Sequence, residues 1–350
     1  MRDVAIVSFA QSSAAFEDER NEVEILLPVV QDAIADSHLK RSEIEFTCSG
    51  SSDFLQGQPF AFVMALDAVG AWPPIKESHV EQDGAWALYE AWVKIQTEDV
   101  DSALVYGFGK SASGDLPEVL ALSMDPYCVT PLWPDMDSVS ALQARQWMEK
   151  NGKTERDLAE IVQRNRRNAT DNPHAIHKGA VSIEELLAEP HIASPLRASD
   201  CAGKADGASC VVLMAGDRAR ELCERPVWIR GFDHRVDPAA LGVRDLTTSS
   251  SAKIAGEKAG VGKDKIDFAE LYAPYSHQEP ILAESLGLGE DVLLNPSGGA
   301  LGAHVLMSCG LQRIGEAAQR IASGKADRGL GHATHGAALQ QNLVCVLEGE

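Results

Sequence analysis

The sequence predicts an α/β protein built on a mainly parallel sheet with helices on both faces. Three observations lead there. Short β-branched, apolar segments alternate with segments of helical periodicity along most of the chain. The order strand, helix, strand, glycine turn, helix, strand occurs once before residue 110 and again after residue 208, which predicts two related halves. The chain has 350 residues, 45% of them apolar, enough for two ordinary domains or one large pseudo-repeated one.

The first half opens with a buried strand at residues 4–9, followed by a helix over 23–34, where Val23, Leu26, Leu27, Val30 and Ile34 share a face. Pro28 inside that helix implies a kink. Residues 44–48 form a second short strand that runs into the turn-rich CSGSSDF. Residues 85–95, with Trp86, Leu88, Tyr89 and Trp92, read as a helix buried on most sides. The segment 102–108 (SALVYGF) is a fully buried strand. From Asp115 to about Leu196 the texture changes. Scattered prolines and two capping-box starts, at Thr154 with Asp157 and Ser182 with Glu185, predict a largely helical excursion over about 110–200 that carries loops over one sheet face. Sheet resumes at 208–214 and 227–232. A helix over 246–259, a strand at 268–271, a helix after Gln278, the NPSGG loop with its helix and a last strand at 342–347 complete the second half. The expected division is therefore 1–207 and 208–350.

Charge and cysteine usage exclude several functions. A net charge of −21 opposes binding to nucleic acid, which requires a basic face, and to anionic membrane surfaces. No apolar run approaches the roughly 20 residues of a membrane span. The start, MRDVAIVSFAQ, has neither the basic nor the long apolar region of a signal peptide, which predicts a cytoplasmic protein. Seven scattered cysteines without CxxC spacing suit a reducing compartment and give no zinc signature. The pairs His332/His335 and His174/His177 lack a third ligand, so no metal is expected. Gly107-x-Gly109-x-x-Ala112 imitates a dinucleotide fingerprint but opens no clean helix. Gly109-Lys110-Ser111 lacks the first glycine of a phosphate loop, and there is no GxSxG elbow.

Three stretches carry a resemblance: NPSGGALGAH (295–304), NPHAIHKGAVSIEELLAEPHIASPLRASDCAGKADGAS (172–209) and IDFAELYAPYSHQE (266–279). Together they resemble the thiolase superfamily, in particular the branch of sterol-carrier-protein-2 thiolases and lipid-transfer proteins. The resemblance covers nearly the whole chain. It implies a five-layered αβαβα fold of two similar halves, and a homo- or heterodimer with the active site near the subunit interface. It also implies where the family's chemistry would sit. The nucleophilic cysteine of that family starts a buried helix, and Asp83-Gly84-Ala85 occupies that corner here. The second cysteine corresponds to Ala333-Thr334-His335-Gly336, again without a cysteine. The family's oxyanion-hole element corresponds to Tyr272-Ala273-Pro274-Tyr275, and its Gly-His-Pro to Ala303-His304-Val305. Without either thiol the acyl-enzyme cycle has no carrier.

The candidate catalytic residues are therefore Tyr272, His304, His335, Tyr275 and Asp83. His304 is an acid/base after a glycine-rich turn at a predicted helix start, or a satisfied loop histidine. Tyr272 is a hydroxyl donor or a core tyrosine with one hydrogen bond. Asp83, before Gly-Ala at a helix start, reads first as an N-cap and second as a base in the vacated corner. Candidate substrate or coenzyme A contacts are Gly298, Gly299, Gly84, His277 and Arg167. Arg167 lies with Arg164 and Arg166 on what is either a phosphate site or a solvated helix face. Cysteine-free relatives of this branch resemble steroid side-chain aldolases that work with a DUF35 protein (zinc ribbon plus OB fold). The expected function is thus retro-aldol cleavage of a β-hydroxyacyl-CoA, with coenzyme A as part of the substrate and no other cofactor. The alternatives are a non-catalytic thiolase-like subunit and a working thiolase.

Overall fold

A computed structural model describes residues 2–111 and 114–350. Ala112, the last residue of the dinucleotide-like fingerprint, lies outside them. Ten strands form the main sheet: β1 (Val4–Gln11), β2 (Phe46–Gly50), β3 (Glu77–Val80), β4 (Ser102–Gly109), β5 (Gly207–Ala215), β6 (Val227–Val236), β7 (Phe268–Glu270), β8 (Leu293–Leu294), β9 (Arg328–His335) and β10 (Gln341–Gly349). Their spatial order is β8-β7-β9-β10-β6-β1-β5-β4-β2-β3.

That order contains the repeat. In the first half β1 pairs antiparallel with β5, β5 antiparallel with β4, β4 parallel with β2, and β2 parallel with β3. The second half repeats both order and direction with β6, β10, β9, β7 and β8. The halves join where β1 and β6 pair antiparallel, Ala5 opposite Trp228. The sheet is thus mixed, not mainly parallel as expected, because each half returns its last strand between its first and fourth. By pairing, β5 belongs with the first half. The halves therefore meet within residues 216–226, later than the expected division at 207 and 208.

Helices supply three further layers. On one outer face α1 (Glu22–Asp36) packs on β1 and β5, with Ile25, Leu26, Val29 and Val30 buried against Val212 and Met214. Pro28 is accommodated without ending this helix. Two helices of the excursion, α3 (Met136–Asn151) and α4 (Glu155–Asn168), follow the central helix α2 (Gly84–Gln96) in the chain. The other outer face carries α5 (Ser250–Ala259) and α6 (Gln278–Ser285). Between the half-sheets lie α2 and α7 (Cys309–Ala322), in contact with each other and with strands of the main sheet. Both are buried over most of their length, and α7 is exposed only at Gln319 and Ala322 in its last turn. The expected capping boxes are present: the Asp157 carboxylate accepts the Thr154 N–H at 2.8 Å, and the Ser182 hydroxyl and Glu185 carboxylate accept each other's N–H.

The sequence reading missed β3, β8 and β9. The last is instructive. RGLGHATH has little β propensity, yet it is a central strand, because burial and two neighbours outweigh intrinsic preference. Its small residues admit α7: a Cβ on Gly331 would lie 2.6 Å from the Ile314 Cα. Gly84 plays the same part at the start of α2, where a Cβ would come within 2.9 Å of Leu311 Cδ2 and 3.1 Å of the Gly107 Cα. Gly84 is therefore a packing residue between the central helices, not a substrate contact. No helix among the described residues is long and apolar enough to cross a membrane. Gly84→Ala is expected to destabilise the protein by about 1–3 kcal/mol through overpacking, read as a lower urea midpoint.

Candidate active site

One cavity of about 510 Å³ opens beside the central layer. It is lined by Tyr272, Tyr275, His304, His335 and Asp83, so all five candidate catalytic residues converge. Residues 119–126 of the excursion, together with Met136 and Ser140, supply one wall, and Phe54 and Leu55 contribute apolar surface at another. Among the described lining residues there is no cysteine.

Tyr272 follows β7 by two residues, and a polar network holds that segment. Asn295 accepts the Leu271 N–H on Oδ1 at 2.6 Å and donates from Nδ2 to Glu279 at 2.7 Å. At the end of β7, the buried Glu270 carboxylate accepts from the Ser297 N–H at 2.8 Å and from Arg313 at 3.2 Å. The NPSGG loop is thereby tied to the strand that delivers Tyr272.

His304 does not start a helix as expected. It lies five residues before α7, on the two-residue strand His304–Val305, which pairs parallel with Lys204–Ala205. The Tyr272 hydroxyl and His304 Nε2 are 2.7 Å apart, and both side chains are buried. Burial pushes the Tyr272 phenol well above its ordinary value of 10, with the surrounding Cys309, Asp83 and Tyr275 adding to the shift. The phenol therefore remains protonated and shares one hydrogen bond with Nε2. Burial pushes His304 down to about 3, aided by the positive charge of Lys204. The Ala202 carbonyl opposes that shift without completing a hydrogen bond of ordinary geometry to Nδ1. The pair at rest is a neutral phenol hydrogen-bonded to a neutral imidazole.

The other candidates divide. Asp83 is the N-cap of α2. Its Oδ1 accepts the Ala85 and Leu311 N–H groups at 2.9 and 3.0 Å, and its Oδ2 accepts Gly310 N–H at 2.9 Å. Burial raises its pKa to about 6, and these three bonds limit the rise. The cap reading is the one the geometry supports. Tyr275 donates to Asp137 at 2.7 Å. His335, half-buried at the end of β9, is shifted down by burial against the opposing pull of Glu81.

None of the five expected substrate contacts, Gly84 included, lines the cavity. Gly298 (φ 101°) and Gly299 (φ 61°) let the loop lie against the end of α4, where a Cβ on Gly298 would meet the Ala169 Cβ at 2.5 Å. His277 is buried with Nε2 donating to Gln143 at 3.1 Å, and burial lowers its pKa to about 3. Arg167 is exposed on α4, while Arg164 is bonded to Glu279 and Arg166 to Ser199. The solvated-face reading fits Arg167. Sequence reasoning missed Lys204, which lines the cavity beside His304. A lone basic residue within the small-residue block CAGKADGAS was the available signal.

No protein-family model matches the chain. It is 36% identical over 153 residues to benzoylsuccinyl-CoA thiolase subunit BbsB of Thauera aromatica, a match covering 42% of this chain and only 40% of that relative. It is 26% identical over 346 residues to the acetyl-CoA acetyltransferase of Methanothermobacter thermautotrophicus, covering 90% of each. The 17-hydroxy-3-oxo-4-pregnene-20-carboxyl-CoA lyase of Mycobacterium tuberculosis is 27% identical over 247 residues, or 67% of this chain and 63% of the lyase. Among solved structures, an Ltp2-ChsH2(DUF35) aldolase superposes with a TM-score of 0.81 at 18% identity, over 99% of this chain and 97% of that one.

Two expected outcomes follow from the geometry. Asp83→Ala strands three buried N–H groups at two helix starts and lowers stability by roughly 2–4 kcal/mol in chemical denaturation. The sign of the His304 shift means that the folded state refuses a proton the unfolded state accepts near 6.5. Its contribution to stability is thus present above that value and is lost as pH falls towards about 3. In 15N-histidine NMR at pH 5.5 the resonance that disappears in His304→Ala should report a neutral ring; a midpoint near 6.5 contradicts this. The duplicated half-sheet and the enclosed central helices give the chain a thiolase-like fold, and along 90% of its length its sequence is similar to acetyl-CoA acetyltransferases.

Proposed function

We propose that this chain catalyses retro-aldol cleavage of a β-hydroxyacyl-CoA, with Tyr272 and His304 as the reacting pair. The observation that carries this reading is the 2.7 Å contact between a phenol held protonated and an imidazole held neutral, inside a cavity whose described lining holds no thiol. The phenol oxygen takes the proton of the substrate's β-hydroxyl as its own proton passes to His304 Nε2. The Cα–Cβ bond breaks, its electron pair passes into the thioester as an enolate, and a ketone or aldehyde leaves. A proton returned to Cα completes the shortened acyl-CoA. The imidazolium is unfavourable in the empty cavity. It forms only as the enolate does, so the two charges arise together and stabilise each other. Tyr275 and His335 line the same space and are placed to contact the acyl group, and no cofactor is required beyond the coenzyme A of the substrate.

The lyase relative and the fold of the aldolase structure support the reaction class, and the apolar excursion wall suits a bulky acyl group of the steroid side-chain type. The name of that aldolase structure supports a DUF35 partner for this chain as well. Pairing of two thiolase-like chains, alike or different, is supported by the edge position of β3 and the nearby exposed aromatics Phe60 and Trp72. A second reading, a non-catalytic subunit beside an active paralogue, is favoured by one observation: the BbsB relative is itself named as a subunit. A thiolase reaction would need a thiolate at the cavity.

The test offers a 3-hydroxyacyl-CoA to the chain alone and to the chain with a DUF35 protein, and follows the carbonyl product and the shortened acyl-CoA by mass spectrometry. Tyr272→Phe and His304→Ala are each expected to lower kcat/KM by about 10²–10⁴. Activity that survives the double substitution sinks the assignment. Activity that appears only with a paralogue present and ignores both substitutions establishes the subunit reading instead.

A further inference from the structure

The described lining of the cavity contains a single lysine or arginine, Lys204. It is half-buried and sits in register with His304 in a parallel strand pair. Register partners present their side chains on the same face of the pleat. The ammonium and the imidazole therefore face the cavity together, and the lysine's charge disfavours protonation of His304.

Three carboxylates also line the cavity, and each is engaged elsewhere. Asp83 is occupied by the two helix starts. Glu81 accepts the Asp53 N–H at 2.7 Å, and Asp125 accepts the N–H groups of Tyr127 and Cys128. The Lys204 ammonium has no hydrogen bond or ion pair with any described residue. A half-buried ammonium with no ion pair of its own is placed to receive an anion that enters the cavity.

We propose that Lys204 is the anion-binding group of this cavity, holding an anionic oxygen of the acyl part of an acyl-CoA beside the Tyr272–His304 pair. The inference rests on the acyl-CoA reading given above. Two sources share this chemistry. One is the thioester oxygen as it receives the electron pair of the breaking C–C bond. The other is a carboxylate carried by the acyl chain.

Lys204→Met removes the charge and keeps the length of the stem. The first measurement is kcat and KM of wild type and variant on an uncharged 3-hydroxyacyl-CoA. The second is calorimetric affinity for two unreactive esters of similar size, succinyl-CoA and pentanoyl-CoA. If the enolate oxygen is the ligand, kcat falls at least about tenfold with KM nearly constant, and the affinity ratio is the same in both proteins. If a carboxylate is the ligand, wild type binds succinyl-CoA about tenfold more tightly than pentanoyl-CoA, and Lys204→Met erases that preference. A variant that alters neither kcat nor the affinity ratio overturns the proposal. Should the wild type lack lyase activity, the enolate source falls and the affinity ratio alone decides. If neither ester binds at all, the acyl-CoA reading has failed and this proposal with it.

Discussion

The buried carboxylate of Asp83 is the constraint on which the rest of the structure depends. It accepts N–H groups from the first turns of both central helices, α2 and α7, and so joins the two halves at a point closed to solvent. The partial positive charge of two helix starts meets one carboxylate, which is why an acid can be kept there although burial raises its pKa to about 6. Around this contact, glycines at 84, 107 and 310 let the helices and strands approach to within the thickness of a backbone. The cavity forms at the same end of the layer, lined by Asp83 together with the Tyr272–His304 pair.

That arrangement explains the electrostatics of the site. Burial makes the charged forms of tyrosine and histidine unfavourable at once, so the pair rests neutral and becomes polar only when a substrate brings charge of opposite sign. Cys309, in the first turn of α7, illustrates the same environment from the other direction. Burial pushes its thiol up to about 12, and it faces the Ala303 carbonyl at 3.8 Å. A helix start is therefore not sufficient to make a thiolate here, because desolvation outweighs the dipole. The proposed chemistry therefore uses proton transfer within the preformed Tyr272–His304 hydrogen bond instead of a cysteine thiolate.

Much of this was legible in the sequence, for physical reasons that differ by element. Val4–Gln11 and Ser102–Gly109 declare themselves through continuous apolar runs, and the helix starts at Thr154 and Ser182 through local side-chain chemistry. Asp83, Tyr272 and His304 were legible because short motifs fix them relative to turns. Arg328–His335 was not, since its strand state is imposed by neighbours on both sides rather than by its own residues. The assignment of β5 to the first half was hidden for the same reason: strand order is a property of the assembled sheet. Gly298, Gly299 and His277 were placed at the site by proximity in sequence. In the fold they serve packing and a buried amide contact, because the loop turns its glycines towards α4 and its histidine alone towards Tyr272. Lys204 reaches the site only through the pairing of two-residue strands, which no periodicity announces.

C–C cleavage in this cavity is proposed to proceed without a covalent acyl-enzyme. Intact-protein mass spectrometry of the chain, quenched in acid during turnover of an acyl-CoA substrate, tests it most directly. The protein mass is expected to stay unshifted at every time point while shortened acyl-CoA accumulates. A mass increase equal to the acyl group, localised by peptide mapping to any cysteine, contradicts it.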